Sequence, residues 1–196
     1  MFDTIVTKVK GFLINPVETF QQSKTDEPNA VFTYFGVLLL FNAIITAVIA
    51  AVGIETIPQF AGLSYGVALP VMVFFMILVG GFICTLIFAA WLHLWVSILG
   101  GKEGIMQTVN AVIYGSTPRL LLGWIPFVGI IFTLWSLVLN VLGIRELQEL
   151  STGKAILVVA IAVIIPLIIL ILVAAYFITT SMTVMAVPAT PLNAIN

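Results

Sequence analysis

The sequence predicts an all-α integral membrane protein, a five-transmembrane helical bundle that begins with an N-terminal amphipathic interfacial helix. Three observations support this prediction: the composition, the length of the charge-free apolar runs, and the places where Lys and Arg occur. Of 196 residues, 62% are hydrophobic and only 8% are charged, whereas a soluble domain has roughly half apolar and about a quarter charged residues. Such a chain cannot cover a water-facing surface, so the lipid bilayer is its expected surrounding.

Residues 1–30 are predicted to form a cytoplasmic amphipathic segment on the membrane surface. One helical face is apolar and consists of Ile5, Val6, Val9, Phe12 and Leu13. The opposite face is polar and contains Thr4, Thr7, Lys8 and Lys10. Lys8, Lys10 and Phe12 are therefore the expected membrane-interface residues, with the lysines facing anionic lipid. The segment is either a simple interfacial anchor or a helix that binds a partner or senses curvature.

A second helix is predicted to begin within this segment. Asn15 is a suitable N-cap, Pro16 suits the first helical position, and Glu18 is placed to reach back to the cap.

The membrane domain, residues 31–178, contains five apolar runs, and a spanning helix needs about 20 mostly apolar residues. The predicted crossings are 31–54, 67–100, 105–122, 126–143 and 155–178. The second run is too long for one upright crossing. We expect a tilted or bent helix, because Pro70 lies near its start and Gly80-Gly81 in its middle; a helix that projects beyond the bilayer is the alternative. Pro166 is expected to kink the fifth helix.

The orientation follows from the cationic residues, because cytoplasmic flanks of membrane helices are enriched in Lys and Arg. An N-terminus inside places six of the seven on the cytoplasmic side: Lys8, Lys10, Lys24, Lys102, Arg145 and Lys154. Arg119 is the exception. Five crossings then predict a multi-pass protein of the cell membrane whose irregular tail, residues 179–196, is extracytoplasmic.

The third run is the least lipid-like, and it contains most of the candidate functional polar residues: Gln107, Asn110, Pro118 and Arg119. Arg119 either reaches lipid phosphate or water near the outer end of its helix, or it belongs to an anion or substrate site helped by carbonyls that Pro118 frees. Gln107 and Asn110 either bridge helices or line a cavity. His93, flanked by Trp91 and Trp95, is either a satisfied interfacial residue or part of a relay or switch.

Composition and motifs argue against catalysis, metal binding and nucleic-acid binding. A single histidine, His93, and a single cysteine, Cys84, can form neither a four-ligand zinc site nor a nucleophile with its base and orienting group. The net charge of -1 provides no electropositive surface for nucleic acid. We therefore expect no enzyme, no cofactor and no metal site.

Several loose motifs follow one another in an order that resembles the Yip domain family, named for Ypt/Rab-interacting proteins. They are Asn15-Pro16 to Phe20, Tyr114-Gly115-Ser116-Thr117-Pro118, Trp124-Ile125-Pro126 with Gly129, Trp135, Gly143-Ile144-Arg145-Glu146, and Ser151 to Lys154. The pattern is similar to that of shorter prokaryotic members. The resemblance implies a polytopic protein whose eukaryotic relatives bind prenylated small GTPases and act in vesicle budding and organelle shape.

Two functions are consistent with these observations. The first is a non-catalytic membrane organiser or adaptor of the Yip domain type, with other membrane proteins or a small GTPase as partner. The alternative is a small channel or transporter with a polar path near Arg119. The sequence does not predict the oligomeric state.

Overall fold

The structure is a computed structural model that describes residues 2–53 and 68–186, with side chains for residues 3–53 and 68–181. Every regular element within these ranges is a helix. The α-helices in chain order are α1 (Phe2–Ile14), α2 (Pro16–Gln22), α3 (Pro28–Ala51), α4 (Ala68–Phe75), α5 (Gly81–Ile98), α6 (Gly104–Gly115), α7 (Thr117–Leu122), α8 (Val128–Leu147) and α9 (Thr152–Ala186), and a 3-10 turn, Ser23–Thr25, follows α2.

Four helical stretches in the described ranges are long and apolar enough to cross a membrane. They are Pro28–Ala51, Ala68–Ile98, Val128–Leu147 and Thr152–Ser181. The chain is therefore an all-helical protein with several apolar helices of membrane-spanning length. The predicted crossing at 105–122 is not among them, because it is divided between α6 and α7, of 12 and 6 residues.

Pro118 explains the division at Ser116. A proline inside a helix has no N–H to donate, and its ring clashes with the carbonyl four residues earlier. That carbonyl belongs to Tyr114, and here it accepts a 2.7 Å bond from the Thr117 hydroxyl instead. Ser116 likewise donates its hydroxyl to the carbonyl of Val112. The Thr117 hydroxyl thus satisfies the carbonyl that the break leaves without a backbone partner.

The long second run contains the irregularity predicted near its middle. A five-residue π-helical turn, Met76–Gly80, joins α4 to α5, and such turns insert extra backbone into an α-helix. Immediately after it, Gly81 faces Leu39 of α3, whose side chain would lie 2.9 Å from a Cβ at that position. The glycine therefore lets α3 and α5 approach closely.

The chain divides into two compact units, and the first is Met1–Val159. Its core contains four rings that we call the aromatic cluster: Phe12, Phe20, Tyr34 and Tyr114. Each ring is at most 2% exposed. Phe20 of α2 packs on α8 at Gly143, where a Cβ would lie 2.9 Å from the ring.

The second unit is Ala160–Asn196, and its described part is the remainder of α9. Nearly all its described side chains from Ile164 onward are exposed, as in Leu170 at 64%. The helix continues to Ala186, so the prediction of an irregular chain from residue 179 is wrong as far as 186. Residues 187–196 of the predicted tail, and residues 54 and 67 at the ends of the first two predicted crossings, lie outside the described residues.

Candidate functional site

Lys8 and Asp26 form an ion pair that holds α1 against the entrance to α3. Their side chains are 21% and 20% exposed, so both charges are partly withdrawn from water. Lys8 also donates to the Tyr114 hydroxyl at 3.0 Å, and that hydroxyl donates to the same Asp26 carboxylate oxygen. One carboxylate therefore joins α1, the chain before α3 and α6.

Phe12 lies inside this junction. Its ring stacks on Tyr114 with 4.6 Å between centroids and meets Phe20 edge-on at 4.8 Å. The expectation that Phe12 lies at the lipid interface is therefore wrong, because the ring is 0% exposed. Lys8 also faces the protein, because it pairs with Asp26, whereas Lys10 stays exposed.

Asn15 and Pro16 begin α2 as predicted, with the proline in the first turn. The predicted reciprocal capping does not form, because the Asn15 side chain makes no bond to the backbone N–H groups of α2. Its amide donates instead to the Glu18 carboxylate.

Tyr34 connects the aromatic cluster to α7, because its hydroxyl is 2.8 Å from the hydroxyl of Thr117 at the start of that helix. Thr117 already donates to the carbonyl of Tyr114, so Tyr34 is the donor between the two hydroxyls. Pro118, predicted to be functional, is buried next to Thr117. The contact fixes α3 to the break between α6 and α7.

His93 belongs to a polar cluster of three helical segments. Its Nδ1 is 2.8 Å from the hydroxyl of Thr108 on α6, which is 3.0 Å from Nε2 of Gln148, just after α8. Because the Gln148 amide can only donate here, the Thr108 hydroxyl is free to donate to His93 Nδ1. Gln148 also bonds the carbonyl of Gly104 and the N–H of Glu103. His93 is thus a satisfied link between α5 and α6.

The amides of α6 serve packing in part. Gln107 donates to the carbonyl of Lys24 at 2.9 Å and so ties α6 to the turn before α3. Asn110 is only 1% exposed. Its Oδ1 and that of Asn140 on α8 are buried without a hydrogen-bond partner in the described part of the chain.

Charged and polar side chains gather at one end of the first unit, in what we call the charged platform: Gln21, Lys24, Glu103, Glu146 and Glu149. Lys24 pairs with Glu149 and lies 3.9 Å from Glu103, while Gln21 donates to Glu146 at 2.8 Å. The hydrogen bond to Glu149 raises the pKa of Lys24 above its ordinary value, so Lys24 is protonated at neutral pH. The platform joins the turn before α3, the α5–α6 loop and the end of α8.

Arg119 lies at the opposite end of α6–α7, in an open groove of about 450 Å³. Polar lining comes from Asn42 and Thr46 of α3, Thr133 of α8 and Trp124. Within the described ranges, no carboxylate pairs with the Arg119 guanidinium, which interacts electrostatically with Cys84 of α5. Arg119 is exposed, so this cation is accessible through the opening of the groove.

The groove is built on the end of α7. The last carbonyls of a helix lack intrahelical partners, and here Asn42 donates to the carbonyl of Leu120 and Trp124 to that of Leu121, at 2.8 and 2.7 Å. On the other side, the N–H of Arg119 donates to the Ser136 hydroxyl at 3.1 Å. Arg119 is thereby fixed between α3 and α8.

Several site residues were not predicted from the sequence: Asp26, Tyr34, Thr108, Tyr114 and Gln148. A signal was available for Tyr34 and Tyr114, because a buried tyrosine hydroxyl needs a polar partner. Asp26 carried no such signal, since its partner Lys8 depends on how α1 folds back.

The chain matches the model of a known protein family. The model of the Yip1 domain matches residues 10–186 of this chain, a range that includes the charged platform, the aromatic cluster and the Arg119 groove. No curated protein and no solved structure matches it significantly.

Proposed function

Because the chain belongs to the Yip1 domain family, we propose that it is a non-catalytic membrane organiser or adaptor that presents its charged platform to partner proteins. The partner class is another membrane protein or a small GTPase. The observation that supports this role most directly is the platform itself. Ion pairs and a hydrogen bond assemble it from three separate parts of the chain, and it carries charge at one end of otherwise apolar helices.

The contacts along α3 support a topology of five crossings. Gln107, near the start of α6, contacts Lys24 just before α3, whereas Leu120 of α7 contacts Asn42, well inside α3. The broken pair α6–α7 therefore runs beside α3 from the platform towards the other end. Because α8 returns from there to Glu146 on the platform, these contacts support a crossing by α6–α7 as well. In the proposed topology the third crossing is a broken helix that its neighbours bury.

The same contacts support a cytoplasmic platform in the cell membrane. Lys24 is part of the platform, and Lys102 and Arg145 adjoin it in sequence. Cytoplasmic flanks carry this excess of Lys and Arg. The N-terminus is then inside, and the end of α9 is outside.

The adaptor role is tested by placing a photo-crosslinking amino acid at Lys102, an exposed residue beside the platform, in cells that express the full chain. The matched control carries the same amino acid at Phe127, which is 88% exposed in the turn before α8. We expect discrete protein adducts from position 102 that are absent from position 127. A prenylated small GTPase added to permeabilised cells is expected to compete with them if it is the partner class. Identical adduct patterns at the two positions would exclude a partner specific to the platform.

A second candidate function is transport, and the Arg119 groove is the observation that favours it. The groove combines an unpaired guanidinium with polar walls, as a path for anions requires. Towards the platform, however, Thr117 and Tyr34 bond to each other, and the fully buried rings of the aromatic cluster follow. A path would have to open this cluster.

Flux into sealed proteoliposomes separates the two functions. A transporter is expected to carry chloride, phosphate or another small anion in the panel, and Arg119→Ala is expected to abolish that flux while Lys102→Ala leaves it intact. No flux above empty liposomes for any solute would leave the adaptor role alone.

A further inference from the structure

We propose that the Arg119 groove is a binding site for the phosphate group of a membrane glycerophospholipid. The proposal concerns a ligand of the groove and does not depend on the adaptor role. Its premise is the guanidinium of Arg119, which has no anionic partner among the described residues. A cation held between apolar membrane helices is costly unless it reaches an anion or water.

The depth of the groove suits a lipid phosphate. Its α3 wall runs from Asn42 to Ile49, and α3 ends at Ala51. At 1.5 Å per residue, the groove begins about 14 Å from the end of the helix and finishes about 3 Å from it. An arginine side chain at that depth extends towards the headgroup layer while its stem stays among apolar groups. The leaflet is the outer one if the proposed orientation holds.

The chemistry of the lining suits a phosphodiester. Guanidinium N–H groups match phosphate oxygens in pairs, and the Asn42 amide has one N–H beyond the one it gives to Leu120. Trp124, which also lines the groove, suits the interface between headgroups and acyl chains.

The surroundings favour a lipid over a soluble anion. Beside Asn42 on α3, Phe41 is 41% exposed, and beside Thr133 on α8, Leu134 is 58% exposed. The groove is therefore flanked by apolar surface on which acyl chains can lie. A free anion gains nothing from that surface, whereas a phospholipid gains from both parts of the site.

The test is native mass spectrometry of the purified full chain in a non-ionic detergent, titrated with phosphatidylglycerol or with diacylglycerol of the same acyl chains. We expect one tightly held phosphatidylglycerol per chain and no comparable diacylglycerol. Arg119→Gln is expected to weaken phosphatidylglycerol binding about tenfold or more, the range for losing charge-assisted hydrogen bonds. Lys102→Gln, which removes a cation from the other end, is the matched control and is expected to bind normally.

A second variant guards against a folding effect of the first. Thr46→Phe keeps Arg119 but fills the groove, and we expect the same loss of phosphatidylglycerol at an unchanged melting temperature. Equal binding of diacylglycerol, or undiminished binding by folded Arg119→Gln, would overturn the proposal. Displacement of the lipid by millimolar inorganic phosphate would also overturn it, since the groove would then be a site for a soluble anion.

Discussion

The rings of Phe12 and Tyr114 stack with 4.6 Å between their centroids, and this contact fixes α1 to the membrane helices. Both rings are 0% exposed. A face of α1 that is suited to lipid is thus covered by protein, and the segment before α3 is part of the core of the first unit.

Replacing Phe12 with Ala is expected to lower the free energy of unfolding by about 3–5 kcal/mol, the range for truncating a buried phenylalanine. The measurement is unfolding of the purified chain in mixed micelles by titration with SDS. Ile14→Ala, at the end of the same helix, is the control, because Ile14 is 82% exposed and its truncation should cost little. Equal stability of the two variants would show that α1 does not depend on this contact.

How much the sequence could predict is visible in α1. The apolar periodicity predicted a helix with one apolar face, because spacing alone determines which side chains share a face, and the structure has a helix here, Phe2–Ile14. It could not indicate what covers that face, since lipid tails are as apolar as a protein interior. The sequence could not indicate the ion pair of Lys8 with Asp26 either, because this pair forms only once α1 packs on Tyr114.

For the membrane helices too, the sequence predicted the helices but not the contacts between them. Charge-free composition predicted α3, α5, α8 and α9, and the polar content of 105–122 correctly marked that run as unlike the others. The composition of that run does not place Thr117 against Tyr34 or Arg119 between α3 and α8. Those placements depend on tertiary contacts between residues far apart in the chain.

The Lys8–Asp26 pair is expected to behave as a coupled unit. Lys8→Met and Asp26→Asn should each lower the free energy of unfolding by about 1–3 kcal/mol, because each leaves a partly buried charge without its partner. The double variant should lose less than the sum of the two. A double-mutant cycle measured by SDS titration reports the difference.

The comparison for this cycle is the exposed pair of Lys24 and Glu149, with side chains 31% and 63% exposed. Its cycle should give a coupling below about 1 kcal/mol, as surface ion pairs do. Strictly additive losses for Lys8 and Asp26 would mean that the pair contributes no coupling.

The hydroxyl group of Thr108 is expected to stabilise the fold. Thr108→Val keeps the shape but removes the partner of both His93 and Gln148, and leaving buried polar groups unpaired costs about 1–3 kcal/mol each. Thr108→Ser keeps the hydroxyl and should recover much of the loss. Thermal unfolding of both variants checks this, with Thr7→Val on the exposed face of α1 as control. A Val variant as stable as the Ser variant would mean that the Thr108 hydroxyl does not stabilise the contact between α5 and α6.

The broken helix is expected to carry the chain across the membrane, and cysteine labelling tests this directly. Cys84 is the single cysteine, so Cys84→Ala gives a background for Lys102→Cys, Phe127→Cys and Ser151→Cys, all at exposed positions. If α6–α7 and α8 both cross, only the cysteine at 127 reacts with an impermeant maleimide on intact cells. The other two react after permeabilisation. A cysteine at 127 protected like that at 102 would mean that α6–α7 does not cross, while labelling of both 127 and 151 in intact cells would mean that α8 does not cross. The contacts of Lys24 with Glu103 and Glu149 support the first pattern, because they hold both loops beside the start of α3.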